Sequence, residues 1–143
     1  MKKALCIILT ILSVTVLCLS GCSDFGFNPI GTWTYCENRL YDADGNLIKT
    51  TTSDEDKLMS SATITFNKSG TGYIGRKEIN EKITYEYDDS SVTISGTSKN
   101  GEDYTVEYKV RDNGKSLVRT SEYDDLGENG KTVHIVEEMI YKR

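Results

Sequence analysis

From Gly31 to the C-terminus, apolar and polar side chains alternate in short runs separated by turn-forming clusters. Ala62, Ile64 and Phe66 alternate with Thr63 and Thr65. Ile83, Tyr85 and Tyr87 alternate with Thr84 and Glu86, and Tyr104, Val106, Tyr108 and Val110 with Thr105, Glu107 and Lys109. A period of two puts one set of side chains on a buried face and the other in water, the pattern of a strand in a one-sided sheet. The runs close at DADGN (42–46), NKSG (67–70), DDSS (88–91), KNGE (99–102), DNGK (112–115) and DLGENGK (125–131), where Asn, Asp and Gly tolerate the positive φ of tight hairpins. The spacing predicts eight or nine strands and no helix longer than two turns. SDEDKLMSS (53–61) reads as a loop or a single helical turn over one end. A meander of this size removes its exposed edges by closing on itself. The expected fold class is all-β, a small antiparallel up-and-down barrel of about eight strands.

A different pattern occupies the first 22 residues. Lys2 and Lys3 precede an uncharged apolar run of 16 residues, Ala4 to Leu19, which reads as the n-region and h-region of an export signal. The run lies just below the roughly 17 to 25 residues of a bilayer span, so a retained transmembrane anchor is the competing reading. Leu19, Ser20, Gly21 and Cys22 resemble the lipobox of bacterial lipoproteins. That resemblance implies diacylglycerol transfer to the Cys22 thiol, cleavage before it, and acyl chains such as palmitate holding the chain to a bacterial cell membrane or envelope. The expected division is a signal peptide over 1–21, a lipidated tether over 22–30 and a barrel domain over 31–143.

Lipidation changes the cysteine count. Of the four cysteines, Cys6 and Cys18 would leave with the signal and Cys22 would become a thioether, so Cys36 remains as the one thiol. No intramolecular disulfide is then available, although export usually permits them. Without Lys2 and Lys3 the chain carries 15 basic against 22 acidic side chains, a net charge of −7. Such a chain, with no basic cluster, is a poor partner for nucleic acid and for anionic lipid, so the acyl chains must do the anchoring.

Three short segments suggest a family. Gly31, Thr32 and Trp33 resemble the Gly-x-Trp start of the first lipocalin strand, ATITFNKSGTGYI (62–74) resembles a hairpin of the lipocalin-like domains of bacterial surface lipoproteins, and EEMIYKR resembles their closing strand. The resemblance implies that Trp33 plugs one end of the barrel and that Arg143 lies across its indole, with Lys142 in that place if the register slips by one. Gly31 would let the chain turn sharply into the strand. The Thr-Asp-Tyr motif of typical lipocalins is absent, so the resemblance implies no particular ligand.

Candidate chemistry is sparse. Cys36 and His134 form the sole nucleophile and base pair the chain could assemble, but strand alternation turns Cys36 outward, and no enzymatic activity is expected. DADGN spaces oxygens at Asp42, Asp44 and Asn46 like a calcium loop, yet Leu47 and Ser53 stand where the turn glycine and bidentate glutamate belong, and a hairpin explains the same residues. No metal or cofactor is expected. Tyr35, Tyr85, Tyr87, Tyr104, Tyr108 and Tyr141 all fall on predicted inward faces, where they either line a site for a small apolar or amphipathic ligand or fill the barrel with side chain. With a filled barrel, the alternative is an interaction or inhibitor module whose outer face meets a surface protein. Glu137, also on a predicted inward face, would be odd in a filled core, so either it lines a wet mouth or the register of the last strand is shifted.

Overall fold

The computed structural model describes residues 26–76, 79–127 and 129–143. Cys22, the expected signal peptide and the start of the tether lie outside the described residues. Nine strands make one antiparallel sheet: β1 (Gly31–Tyr41), β2 (Leu47–Thr52), β3 (Ala62–Phe66), β4 (Thr71–Arg76), β5 (Ile79–Tyr87), β6 (Ser91–Thr97), β7 (Asp103–Arg111), β8 (Ser116–Leu126) and β9 (Thr132–Lys142). β1 pairs with β3 on one side and β9 on the other, so that eight strands close into an antiparallel barrel, consistent with a lipocalin-like barrel. Thr, Val, Ile and Tyr dominate these strands because branched and aromatic side chains pack well on a pleated, half-buried surface.

The ninth strand, β2, shares an edge with β3. Residues Gly31 to Thr34 of β1 pair with β3, and Glu37 to Tyr41 pair with β2, so the two strands lie end to end along β1. The junction falls at Cys36, an extra residue in the β1–β9 ladder, whose carbonyl accepts the Ser53 amide. A bulge there bends the strand, and residues 53–61 leave the edge at that point as consecutive turns. Beyond the bulge β2, β1, β9 and β8 continue past the barrel as a ribbon whose β8–β9 pairing runs to Leu126 and Thr132.

Inside, one row across the sheet alternates large and small: Phe66, Gly72, Ile83, Gly96 and Tyr104 are direct cross-strand neighbours. A Cβ at Gly96 would fall 2.7 Å from the Tyr104 hydroxyl, so the phenol lies flat over the glycine. Alternating sizes let a small barrel curve tightly without colliding side chains.

One end of the barrel is sealed. Trp33 is fully buried, its indole Nε1 donates to the Pro29 carbonyl at 2.8 Å, and Phe27 packs against it with ring centres 6.0 Å apart. The Phe27 amide donates to Asp89, and Pro29 is itself buried. Residues 27–30, read from the sequence as tether, are thus docked on the barrel. Beside them β7 turns into β8 through Asp112 (φ 54°), Asn113 (φ 55°) and Gly114 (φ 81°), three left-handed residues in succession, with the Ser116 hydroxyl donating to the Asp112 carboxylate.

Candidate functional site

The opposite end is open. A cavity of about 610 Å³ enters the barrel between the β4–β5 and β6–β7 connections and ends on Tyr104, Tyr108 and Tyr141. Met59, Ala62, Ile74, Val106 and Met139 line its walls; Arg76, Ile79, Glu81 and Lys99 stand around its rim. Met59 arrives from the 53–61 excursion, where the Asp56 carboxylate accepts the Leu58 and Met59 amides and fixes the turn. Alternation along β8 from inward Leu117 brings Arg119 into the same wall, opposite Met139 and, one strand further, Asn38.

The tyrosines divide between the two ends. Tyr35, Tyr108 and Tyr141 form a chain of edge-to-face contacts, Tyr141 lying 5.9 Å from Tyr35 and 5.8 Å from Tyr108. Tyr104, Tyr108 and Tyr141 face the cavity, whereas Tyr35 supports Tyr141 from beside it. Tyr85 lies on the sealed side against Phe66 and donates to the Asn67 carbonyl at 2.6 Å. Tyr87 is half exposed and packs edge-on to Phe27, so these two do not reach the cavity. Burial therefore holds for four of the six, and cavity lining for three, because alternation reports which face a ring occupies but not which end.

Electrostatics sharpen this division. Burial, with the neighbouring Tyr141 adding to it, holds the Tyr108 phenol well above the ordinary range, while Arg119 pulls the other way. Burial raises Tyr141 likewise, again against the pull of Arg119. Tyr35 is pushed up to about 12 by burial, reinforced by the carboxylates of Asp56 and Glu137. Its buried hydroxyl, like Asn38 Oδ1, has no hydrogen-bond partner among the described residues. At neutral pH these phenols are proton donors.

Gly31 (φ 123°) makes the turn into β1, and the Arg143 guanidinium lies 4.6 Å from the centre of the Trp33 ring while donating to the Ile30 carbonyl. Cys36, predicted outward, is instead the half-buried bulge residue, and the bulge sends Glu37 outward where plain alternation would turn it in. His134 lies six positions along β9 from Ile140, which pairs beside Cys36. At about 3.3 Å per residue this is roughly 20 Å, and the two side chains do not meet. His134 pairs instead with Asp124 at 3.0 Å. The Asp42 carboxylate accepts the Asp44 and Asn46 amides and the Asn46 side chain, which pulls its pKa down; it serves the hairpin. Glu137 is held by Asn38 at 2.5 Å on the inner face of the ribbon, above the mouth.

Alternation from Leu117 could have found Arg119, and a Met at each of two cavity positions is the sort of adaptable apolar residue such a wall uses. A broader groove of about 910 Å³ lies outside the plug, between Phe27, Asp89, Arg111 and Arg143, where the described chain begins; none of the predicted tyrosines lines it. No family model, curated protein or solved structure matches this chain.

Proposed function

We propose that this chain is an exported lipoprotein, anchored through lipid on Cys22, whose barrel binds a small apolar or amphipathic molecule without catalysing a reaction. The observation that carries the reading is the open cavity over Tyr104, Tyr108 and Tyr141. Its volume of about 610 Å³ lies within the range of about 300 to 1,000 Å³ typical of small-molecule sites, and its walls are apolar with few polar groups. A barrel meant only to be filled would close over this space, as its sealed end does around Trp33.

The anchor gives the cavity a direction. Four residue steps separate Cys22 from Gly26, at most about 14 Å of extended chain. Lipid on Cys22 would therefore hold the Trp33 end near the membrane and turn the mouth away, so that ligand enters from the aqueous side. Labelling cells with an alkyne palmitate analogue tests the anchor: the label depends on Cys22, and incorporation unchanged in Cys22→Ser contradicts it.

The cavity has its own test. The full chain in phosphatidylcholine nanodiscs is exposed to a decanol bearing a diazirine on its tail, and labelled peptides are identified by mass spectrometry. Labelling of peptides containing Ile74, Val106 and Met139, abolished by the cavity-filling Val106→Trp, supports the reading. Labelling that Val106→Trp leaves unchanged contradicts it. A second reading, recognition of a protein at the cell surface, is favoured by the ribbon, which exposes Leu47, Ile48, Tyr123 and Leu126.

A further inference from the structure

The cavity wall contains a cation without a counter-ion. Arg119 is half-buried, faces the Tyr108 and Tyr141 phenols, and has no carboxylate within 4 Å among the described residues. A guanidinium withdrawn from water and left unpaired is costly; Arg39 pairs with Glu37 at 2.5 Å and Arg111 with Glu138 at 2.9 Å, whereas Arg76 and Arg143, which also lack a carboxylate, are exposed to water. The chain carries a net charge of −5, with acidic residues in excess, yet left Arg119 without one. Charge at the mouth has the same sign. Among the described residues, Arg76 and Lys99 stand on the rim against a single lining carboxylate, Glu81, which is turned toward Tyr104 and raises its phenol pKa after burial has done so. Glu137, diagonal to Arg119 across the β8–β9 ladder, accepts from Asn38 at 2.5 Å and forms no ion pair with Arg119 within 4 Å; Asp56 acts on Tyr35.

We propose that the ligand is a single-chain amphiphile with an oxyanion headgroup, a carboxylate or a phosphate, bound by Arg119 with its tail against Ile74, Val106 and Met139. This rests on the reading of the cavity as a ligand site. The Arg119 fork offers two parallel N–H donors to such a group, and the Tyr108 and Tyr141 hydroxyls add neutral donors beside it. A hydrogen bond to a charged group is worth more than one between neutral groups. An anionic amphiphile should thus bind about tenfold or more tightly than the alcohol of equal length. The cationic rim of an otherwise acidic domain also favours anions on approach.

The test uses the full chain in phosphatidylcholine nanodiscs and three diazirine-tailed probes of equal length: decanesulfonate, decanol and decyltrimethylammonium. The proposal expects the sulfonate to label the cavity peptides about tenfold more than the alcohol, with the ammonium weakest. Arg119→Gln should bring the ratio of sulfonate to alcohol labelling down to about one, whereas a collapsed cavity would lose the label of both. Arg119→Lys should restore part of the preference. Unlabelled decanoate and decyl phosphate then compete: displacement by decanoate alone assigns a carboxylate, by decyl phosphate alone a phosphate, and displacement by neither overturns the proposal. Equal labelling by sulfonate and alcohol overturns the anionic headgroup and leaves the cavity reading standing. Labelling by none of the three overturns both.

Discussion

Arg143 lies over the indole of Trp33, 4.6 Å from the ring centre, and ties itself down by donating to the Ile30 carbonyl. The last residue of the chain thereby covers the first buried ring of the barrel and closes one end. Replacing Trp33 with Ala should cost on the order of 3 to 5 kcal/mol, as for other large aromatic truncations in a core. Arg143→Ala should cost about 0.5 to 1 kcal/mol, the contribution of an exposed cation over an aromatic face. Urea unfolding followed by circular dichroism measures both, and a loss below 1 kcal/mol for Trp33→Ala would show that it is not the plug.

Tyr104 lies on Gly96, and the contact leaves no room for a methyl group. Gly96→Ala should destabilise the barrel by about 1 to 3 kcal/mol through overpacking. Much of that loss should vanish in a Tyr104→Ala background, where the added methyl meets no ring. A double-mutant cycle reads the coupling directly, and simple additivity would mean that the two residues do not press on each other.

The buried phenols make stability depend on alkaline pH. Tyr35 has a folded pKa of about 12 against an ordinary value of 10.0, so its neutral form is favoured by folding. Its contribution is fully present below pH 10 and is lost as pH rises from there through about 12, because the unfolded chain ionises first. Tyr35→Phe should flatten the fall in stability over that window. At neutral pH it should be neutral or slightly stabilising, since the hydroxyl it removes is buried without a partner among the described residues. Chemical denaturation at unit steps from pH 8 to 12 tests both statements.

The left-handed turn at Asp112, Asn113 and Gly114 places a Cβ in a region that costs most L-residues about 1 to 2 kcal/mol. Asn tolerates it better than most, so Asn113→Gly should raise stability by less than about 1 kcal/mol. Asp112→Gly should gain nothing net, because it also removes the carboxylate that accepts the Ser116 hydroxyl. Thermal melts of the two variants separate the effects.

Much of this barrel is legible in the chain because its strands alternate cleanly and its turns carry Asn, Asp and Gly. Ala62, Ile64 and Phe66 are buried as alternation requires, and the turns at 42–46, 67–70, 88–90 and 98–102 fall where those residues cluster. Two features are hidden. The Cys36 bulge reverses the facing of β1 after Tyr35, and no residue type marks a bulge in advance. Between Arg76, the end of β4, and Ile79, the start of β5, the sequence has only Lys77 and Glu78, residue types that give no turn signal. The site was harder to see than the fold. Six inward tyrosines look alike along the sequence, and only the direction of each strand separates Tyr85, on the sealed side, from Tyr108, on the cavity floor. Arg119 sits on an inward position of β8, but a charged residue there reads as a break in the pattern until the cavity gives it a setting.

The most direct test of the ligand-binding account is a native mass spectrum of the full-length gene product purified from its own membranes. The account predicts the lipidated chain together with a species heavier by one small molecule, which collisional activation removes and which Val106→Trp lacks. The lipidated chain alone, with no heavier species even after incubation with decanoate and decanol, would contradict it.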